Sequence, residues 1–380
     1  MKKVAIIQNR FQRGGRMQVL VHIISILNEI GIVPDLLTFR SRLDSSTLEK
    51  SYGLDIEFNV KEVFVDLRLP FEWHILFFNK VIGRYLDKYQ LVINSNNTSF
   101  GLPGYLNVLS YVHFPRKERN ISKKKNIHFP EGAKRSFWDI RIDPFLIASA
   151  IYRTNNCISL NDKQVANSDY TRQMIIKNYR IKSDAVDVVY PPVDISFPLS
   201  VPKKKGSVIS LGRYAPDKRQ LEQIELASHL PEFHFNMVGF VNEPRYFNQC
   251  KQAVAHKKLN NVSLMPDLSL EESKRELSAS EYFLHSLRNE PFGITTVQAI
   301  AAGCIPLVHD SGGQKEIVPD KSLRYTNMDD AIKKLKFLNT LNEEQKKELQ
   351  TALQKHILQF DIASFKNKIK PMLIDKLNRI

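Results

Sequence analysis

The order of elements at the start of this chain restricts its fold more than any other feature. Val4–Gln8 is a short apolar run typical of a buried strand, and Gly14 and Gly15 follow it in a turn. Apolar residues then recur at helical spacing through Met17–Ile30, and Pro34–Phe39 is the next predicted strand. A strand, a glycine turn, a helix and a second strand predict a doubly wound α/β domain with a parallel sheet.

The same order of elements begins again in the second half of the chain. Ser207–Leu211 is predicted as a strand, Arg219–Ser228 as a helix and Phe233–Val238 as the following strand. Further on, the pattern predicts a helix over Thr295–Ala302 and a strand over Ile305–His309. A chain of 380 residues is long enough for two such domains.

A proline-rich segment separates the two series. Residues 191–206 contain four prolines within twelve residues, and proline removes a backbone donor and interrupts regular structure. We therefore predict an N-terminal Rossmann-like domain over residues 1–195, a C-terminal Rossmann-like domain over 196–360, and a helix over 361–380 that packs back on the first domain. Because ligands of open α/β sheets bind at the carboxyl ends of the strands, we expect the two domains to face each other across a cleft.

Composition argues against several other classes of protein. A hydrophobic content of 43% is that of a globular protein rather than a disordered one. No run approaches the roughly 18 consecutive apolar residues of a membrane span, and the start of the chain lacks the cleavage site of a signal peptide. Cys157, Cys250 and Cys304 are too far apart for a disulfide framework or a metal-ligand spacing, which favours a reducing cytoplasm.

A net charge of +15 points to an anionic partner, which is nucleic acid, an anionic membrane or a phosphorylated small molecule. Arg116–Arg141 holds nine Lys or Arg residues against three acids, together with Phe129, Phe137 and Trp138. Pro70–Ile82 is a second stretch rich in aromatic residues. Both stretches predict contact with an anionic membrane surface, with a solvated loop and a buried helix as the alternatives. No nucleic-acid-binding motif is present, so a basic nucleic-acid-binding protein is only the non-enzyme alternative.

The segment His285–Pro306 carries the strongest chemical signal. It leaves a predicted strand, crosses a loop that contains Glu290, Pro291 and Gly293, and enters a helix. A helix N-terminus presents free N–H groups and a positive dipole end, which suit a phosphate. Glu290 beside it needs hydroxyl groups that donate to its carboxylate, and a sugar supplies them. The alternative is an acid that only stabilises the helix dipole.

A second motif, Leu211–Gln220, follows the first strand of the second domain. Arg213 and Lys218 are two cations placed five residues apart around a proline-containing turn. Paired cations can stabilise the negative charge that develops on a leaving nucleoside diphosphate without a metal ion. Two ordinary surface cations are the alternative.

These two motifs resemble those of the family 4 glycosyltransferases, which have the two-domain GT-B fold. The nucleotide-sugar motif of that family has two glutamates separated by seven residues; Glu290 occupies the first position, and Gln298 departs from the second. The resemblance implies that Glu290 contacts the transferred sugar, that the Gln298 amide keeps the ribose contact, and that Arg213 and Lys218 hold the donor diphosphate. The sequence has no Asp-x-Asp triplet, so we predict no metal site.

Motifs in the first domain resemble the same family. Gly14 and Gly15 stand where family members carry a glycine-rich loop near the donor phosphate and the acceptor. Ser110–Pro115 resembles a strand-end motif whose histidine, here His113, faces the transferred sugar; a structural histidine is the alternative. Three further segments match the family in order: Val165–Met174, Val188–Asp194 and Asp310–Glu316.

The resemblance spans residues 4–320 and is closest to mannosyltransferases that extend lipid-linked oligosaccharides from the cytoplasmic face of a membrane. It implies a retaining, metal-independent enzyme without a cofactor, peripheral on that face, which moves mannose from GDP-mannose to a glycan or lipid-linked acceptor. A soluble transferase or sugar-nucleotide hydrolase that uses UDP- or ADP-glucose is the alternative. The implied catalytic residues are Glu290, His113, Arg213 and Lys218, and the implied donor-binding residues are Gly14, Gly15, Arg213, Lys218, Gly239, Glu290, Pro291, Phe292, Gly293, Ile294 and Gln298.

Overall fold

The computed structural model of the protein describes residues 2–8, 14–39, 53–64, 82–83, 85–95, 102–115, 162–179, 181–197 and 201–378. The chain forms two compact units, one of Met1–Pro192 with Phe365–Ile380 and the other of Val193–Ser364. The division after Pro192 lies three residues before the predicted boundary, and the return to the first unit comes at Phe365 rather than at residue 361. We treat each unit by itself below.

The described elements follow one another as an alternation of strands and helices. The strands are β1 (Val4–Ile7), β2 (Asp35–Phe39), β3 (Asn59–Phe64), β4 (Leu91–Asn94), β5 (Val108–Val112), β6 (Asp162–Ala166), β7 (Val186–Val188), β8 (Lys204–Leu211), β9 (His234–Gly239), β10 (Val262–Pro266), β11 (Ser280–His285), β12 (Ile305–His309) and β13 (Arg324–Tyr325). The helices are α1 (Gly15–Glu29), α2 (Asp169–Tyr179), α3 (Gln220–Ser228), α4 (Pro244–His256), α5 (Leu270–Ala279), α6 (Ile294–Ala301), α7 (Gln314–Ile317), α8 (Met328–Thr340), α9 (Glu343–Ile357) and α10 (Ile362–Asn378).

The first unit is built on a parallel sheet of seven strands in the order β3-β2-β1-β4-β5-β6-β7. A parallel sheet is covered on both faces, so its strands are continuous apolar runs, and every residue of Val4–Ile7 is at most 1% exposed. Helix α1 is apolar around most of its surface because it packs both on the sheet and against Phe365 and Ile369 of α10. The strand order reverses at β1, which has β2 on one side and β4 on the other.

The second unit repeats the design with six parallel strands in the order β10-β9-β8-β11-β12-β13. Here the order reverses at β8, which has β9 on one side and β11 on the other. A buried ion pair between Lys346 Nζ and Glu281 Oε1, at 2.6 Å, joins α9 to the start of β11. The loops that leave the carboxyl ends of β8 and β11 therefore flank the switch point, which is where ligands bind in open α/β sheets.

The predicted doubly wound elements are confirmed to within a few residues, while the predicted linker is partly wrong. Strand β8 begins at Lys204, so the last three residues of the proline-rich segment 191–206 belong to the sheet. The strand can begin there because the last proline of that segment is Pro202. The aromatic-rich residues 70–81 and the basic stretch Arg116–Arg141 lie outside the described residues. Among the described helices, none is both long enough and apolar enough to cross a membrane.

Candidate functional site

The first loop of the candidate site leaves β8 at Leu211 and runs beside the end of β9. A Cβ on Gly239 would lie 2.0 Å from the carbonyl oxygen of Gly212, so only glycine allows the two strand ends to approach this closely. Gly239 was predicted as a donor-binding residue. The structure gives it a backbone role, because it shapes the loop that carries the cations.

The two predicted cations have different partners in the protein. Arg213 Nη2 donates to Asp217 Oδ2 at 2.6 Å, and Gln220 Nε2 donates to the Arg213 carbonyl at 2.9 Å, so this loop is held by its own side chains. Lys218 ends the short 3-10 turn Pro216–Lys218. From there Lys218 Nζ reaches the loop after β11 and lies 3.0 Å from Glu290 Oε2.

Backbone contacts fix the loop that carries Glu290. The Gly313 N–H donates to the Glu290 carbonyl at 2.8 Å. A Cβ on Gly312 would lie 2.4 Å from the Glu290 carbonyl oxygen, and one on Gly313 would lie 2.4 Å from that of Pro291. Gly293 then caps α6 with φ of 123°, a conformation that favours glycine. The glycine pair that follows β12 therefore supports the loop that precedes α6.

Glu290 is a carboxylate at neutral pH. Its side chain is 18% exposed, and its Oε2 atom faces both Lys218 Nζ and, at 3.4 Å, His285 Nε2. Burial alone would raise the pKa of the Glu290 carboxyl, but Lys218 and His285 more than offset burial and hold that pKa well below its usual range. Glu290 can therefore accept hydrogen bonds but has no proton to donate.

His285, the last residue of β11, was not among the predicted site residues. Burial lowers the pKa of its imidazole, and the nearby Lys218 charge lowers it further, although Glu290 acts in the opposite direction. The Gln314 Nε2 atom lies 3.3 Å from Nδ1. An amide nitrogen only donates, so Nδ1 accepts and the ring hydrogen is assigned to Nε2, facing Glu290. A polar residue directly after the apolar run Tyr282–Leu284 is the sequence signal that could have identified His285.

The remaining predicted residues of the loop and helix differ in accessibility. Phe292 is 2% exposed and packs edge-on against Phe360, with ring centroids 5.3 Å apart. Its side chain is therefore part of the core, and its predicted contact with the donor stays a prediction that its backbone would have to make. Ile294 is the first residue of α6, and Gln298 lies half-buried one turn later.

Buried polar atoms without a partner surround these loops. Among the described residues, the buried atoms at these loops that make no hydrogen bond include Arg213 Nε, Gln220 Oε1, Gln223 Oε1, His285 Nε2, Thr296 Oγ1 and Gln314 Oε1. Lys218, Gln220 and Gln223 also line a cavity of about 10 Å³ between the ends of β8 and β11. Because buried polar atoms in folded proteins nearly always have partners, this region is suited to a polar ligand or to ordered water.

The predicted residues of the first unit also lie at the carboxyl end of their sheet. Gly14 is the N-cap of α1 with φ of 136°, and Gly15 is its first residue. His113 follows β5 directly, and its ring centroid is 5.1 Å from that of Tyr111. Burial and the positive charge of Arg16 hold the pKa of His113 well below its ordinary value, so the imidazole is neutral at neutral pH. The effect of Arg16 places the start of α1 near the end of β5.

No group of three His, Cys, Asp or Glu side chains that could hold a metal ion occurs within the ranges that the structure describes.

The second unit matches a known enzyme family. Residues 194–355 match the family model described as glycosyl transferases group 1. The mouse GDP-Man:Man(3)GlcNAc(2)-PP-Dol alpha-1,2-mannosyltransferase is 26% identical over 254 residues, which cover 59% of this chain and 51% of the mouse protein. The chain thus spans about half the length of the curated relatives it matches.

Solved structures resemble the whole chain. A glycosyltransferase from Rickettsia africae superimposes with a TM-score of 0.73 at 18% identity and covers 100% of this chain and 99% of its own. HepE from Anabaena, in complex with UDP and glucose, has a TM-score of 0.71 at 16% identity and covers 98% of this chain and 100% of its own. These likenesses confirm the predicted GT-B fold, and the family match confirms the predicted resemblance to glycosyltransferases.

Proposed function

We propose that this chain, whose second unit matches the group 1 glycosyl transferases, moves a sugar from a nucleotide-sugar donor to an acceptor hydroxyl. The observation that carries the proposal is the pairing of Glu290 with Lys218, at 3.0 Å, where the loops after β8 and β11 meet. One group can accept from sugar hydroxyls and the other can bind a diphosphate. Both lie beside the N-terminus of α6, which favours an anion.

The charge state of Glu290 favours transfer from a nucleotide sugar over hydrolysis of an ordinary glycoside. A glycosidase needs a carboxylic acid with a raised pKa to protonate its leaving group. The pKa of Glu290 is instead held below its usual range by Lys218 and His285, after burial has been offset. A nucleoside diphosphate leaves without that proton if cations stabilise its charge, which is the role we assign to Lys218 and Arg213.

The donor we propose is GDP-mannose, and the reaction retains the α configuration without a metal ion. The printed name of the mouse relative, a GDP-mannose-dependent alpha-1,2-mannosyltransferase, supports this donor. Retention follows the family 4 pattern, in which the leaving phosphate assists deprotonation of the acceptor on the same face of the sugar. Neutral His113, at the end of β5, can hydrogen-bond a sugar hydroxyl without carrying a charge of its own.

We further propose that the acceptor is a glycan or a lipid-linked glycan, and that the enzyme works as a peripheral protein on the cytoplasmic face of a membrane. The dolichol-linked acceptor in the mouse relative's name supports the lipid. The charge of Arg116–Arg141 supports the surface, at about 1 kcal/mol for each Lys or Arg near an anionic leaflet. Changing Lys123, Lys124 and Lys125 to Glu should weaken liposome binding and transfer to a lipid-linked acceptor together, and unchanged values for both would remove this stretch from the proposal.

A donor screen tests the central proposal. The protein is incubated with a lipid-linked glycan acceptor and GDP-mannose, UDP-glucose or ADP-glucose, each with and without EDTA, and release of the nucleoside diphosphate is measured. We expect GDP release that survives EDTA and is absent in Glu290→Ala, which serves as the control for contaminating activity. Release of UDP or ADP alone would replace the donor assignment, and release of none would reject the function. Proton NMR of the new anomeric centre then decides between retention and inversion.

A further inference from the structure

The imidazole of His285 lies deeper than the groups that can touch a donor. The His285 side chain is 5% exposed, against 18% for Glu290 and 24% for Lys218. His285 nevertheless has a polar neighbour at each ring nitrogen. Gln314 Nε2 hydrogen-bonds to Nδ1 at 3.3 Å, and Glu290 Oε2 lies 3.4 Å from Nε2, a buried atom that makes no hydrogen bond with the described residues. A histidine that only fills the core would not need a polar neighbour at both ring nitrogens.

The partner at Nδ1 is itself fixed. Gln314 is fully buried as the first residue of α7, and its Nε2 atom would lie 2.4 Å from a Cβ on Gly293. The backbone of His285 is also held, because the Tyr325 hydroxyl donates to its carbonyl at 3.2 Å. The ring therefore has little freedom to rotate, and Gln314 determines which ring nitrogen carries the hydrogen.

Both contacts of Glu290 are made by the same oxygen atom. Lys218 Nζ and His285 Nε2 both approach Oε2, and Oε1 has no hydrogen bond or ion pair with the described residues. Oε1 is thus the atom left for a sugar hydroxyl. When a diphosphate competes for Lys218, His285 is the remaining partner that can hold Oε2 in place.

We propose that His285 is a positioning residue, which donates from Nε2 to Glu290 and keeps its second oxygen directed at the sugar, while Gln314 holds His285 in the Nε2–H form. This role rests on the proposed function. The charged and titratable groups that face the ring are Glu290 and Lys218, and Tyr325 contacts the backbone of the same residue. Because burial and Lys218 lower the pKa of His285, the donor is neutral at neutral pH and does not neutralise Glu290.

Two substitutions at one position separate positioning from packing. His285→Leu removes the donor, whereas the amide of His285→Gln can still donate towards Glu290. We expect His285→Leu to lower kcat by roughly 10- to 100-fold, the range for loss of a hydrogen bond to a charged group, with the Kd for GDP within about twofold of wild type. His285→Gln should recover a clear part of kcat. Equal kcat in the two variants, or an unchanged kcat in His285→Leu, would overturn the proposal.

The matched control is His309, the last residue of the neighbouring strand β12. Its Nδ1 atom contacts Ser311 Oγ at 2.8 Å and its ring packs edge-on against Tyr325. His309→Leu should lower thermal stability and leave kcat within about twofold. A loss of kcat as large as that of His285→Leu would show that any strand-end histidine here acts through the fold, and would count against the proposal.

A measurement without turnover tests the arrangement directly. Nitrogen-15 NMR of labelled histidine should show the Nε2–H form of His285, whose signal is assigned by its absence in His285→Gln. In a second experiment, Gln314→Glu should raise the pKa of His285 and add an acidic limb to the pH profile of kcat. If the wild type turns over no donor, the proposed function fails. If it turns over a donor but the ring is in the Nδ1–H form, the positioning role fails and the function stands.

Discussion

The two units of this protein use the same sheet design but place different charges at the carboxyl ends of their strands. In the second unit, the loops after β8 and β11 bring a carboxylate and an ammonium group within 3.0 Å of each other. In the first unit, the end of β5 carries a histidine that burial and Arg16 keep neutral by lowering its pKa. One end holds a pair of full charges, and the other holds an uncharged hydrogen-bonding ring.

This difference matches the chemistry that each end is proposed to serve. A leaving diphosphate develops negative charge, which fixed cations stabilise most where water is excluded. Sugar hydroxyls are neutral, and a neutral imidazole can bond them without being desolvated as an ion. The comparison therefore predicts that substitutions in the second unit affect chemistry strongly, whereas those in the first unit act through stability, pH and orientation.

The largest effect should come from Glu290. Glu290→Ala should lower kcat at least about 100-fold, since a hydrogen bond to a charged group is worth about 1.5–3 kcal/mol and more if it strengthens in the transition state. Glu290→Gln keeps the shape and should lose nearly as much. Circular dichroism should show both variants folded. A folded Glu290→Ala with near-normal kcat would exclude Glu290 from the site.

The two cations come next. Arg213→Ala and Lys218→Ala should each lower kcat by about 100-fold, by analogy with the loss of one preorganised donor to a developing anion. The control is Lys257→Ala, which removes an exposed ion pair with Glu225, 2.9 Å long, from the same unit. It should stay within about twofold of wild type, because exposed pairs contribute about 0–1 kcal/mol. Equal losses in all three variants would mean that the assay reports on folding.

One glycine in each unit allows the two units to be compared by the free energy of unfolding that a substitution costs. Gly239→Ala should destabilise the second unit by about 2–4 kcal/mol, because the added Cβ would lie 2.0 Å from the Gly212 carbonyl oxygen. Gly14→Ala meets no atom within 4 Å and should cost the first unit about 1–2 kcal/mol through its φ of 136° alone. Calorimetry measures both. Gly212→Ala is the control, since its Cβ would have only ordinary contacts, the nearest at 3.5 Å. A larger loss at Gly14 would contradict this order.

The smallest effect should be a pH dependence of stability from His113. Its pKa is lowered in the folded state by burial and Arg16, so the unfolded chain binds a proton first as the pH falls below about 6.5. The stabilisation is present above that pH and declines below it, by at most about 1.4 kcal/mol per pH unit. His113→Gln should flatten the decline in stability that urea unfolding measures between about pH 7 and pH 5. An unchanged slope in His113→Gln would mean that His113 is charged in the folded protein.

The fold was predictable where hydrophobic pattern and glycine turns agree. Strand β12 has the predicted bounds, and α1 and α6 begin within two residues of the predicted positions. Helices α4 and α5 were not predicted. Half of the residues of α5 are charged, and α4 buries only Tyr246 and Cys250, so its apolar stripe is narrow. The extension of β8 back to Lys204 depends on pairing with β11, which a local pattern does not contain.

The sequence predicted the charged residues of the candidate site but not which residues they pair with. The motifs identified Glu290, Lys218 and Arg213, yet the ion pair of Lys218 with Glu290 depends on how two loops 72 residues apart meet. His285 was missed because a single histidine at a strand end has no pattern of its own. Gly239 was assigned to the donor, whereas its contact with Gly212 arises only from the approach of neighbouring strands.

We propose that Lys218 binds the diphosphate and that Glu290 binds the sugar. In the structure, these two side chains form an ion pair with each other. Titration calorimetry with GDP alone separates the two roles. Lys218→Ala should weaken GDP binding by about tenfold or more. Glu290→Ala should bind GDP at least as tightly as wild type, because the substitution removes a carboxylate near the diphosphate and releases Lys218 from a 3.0 Å ion pair. A Glu290→Ala variant that loses GDP affinity as much as Lys218→Ala would contradict the account.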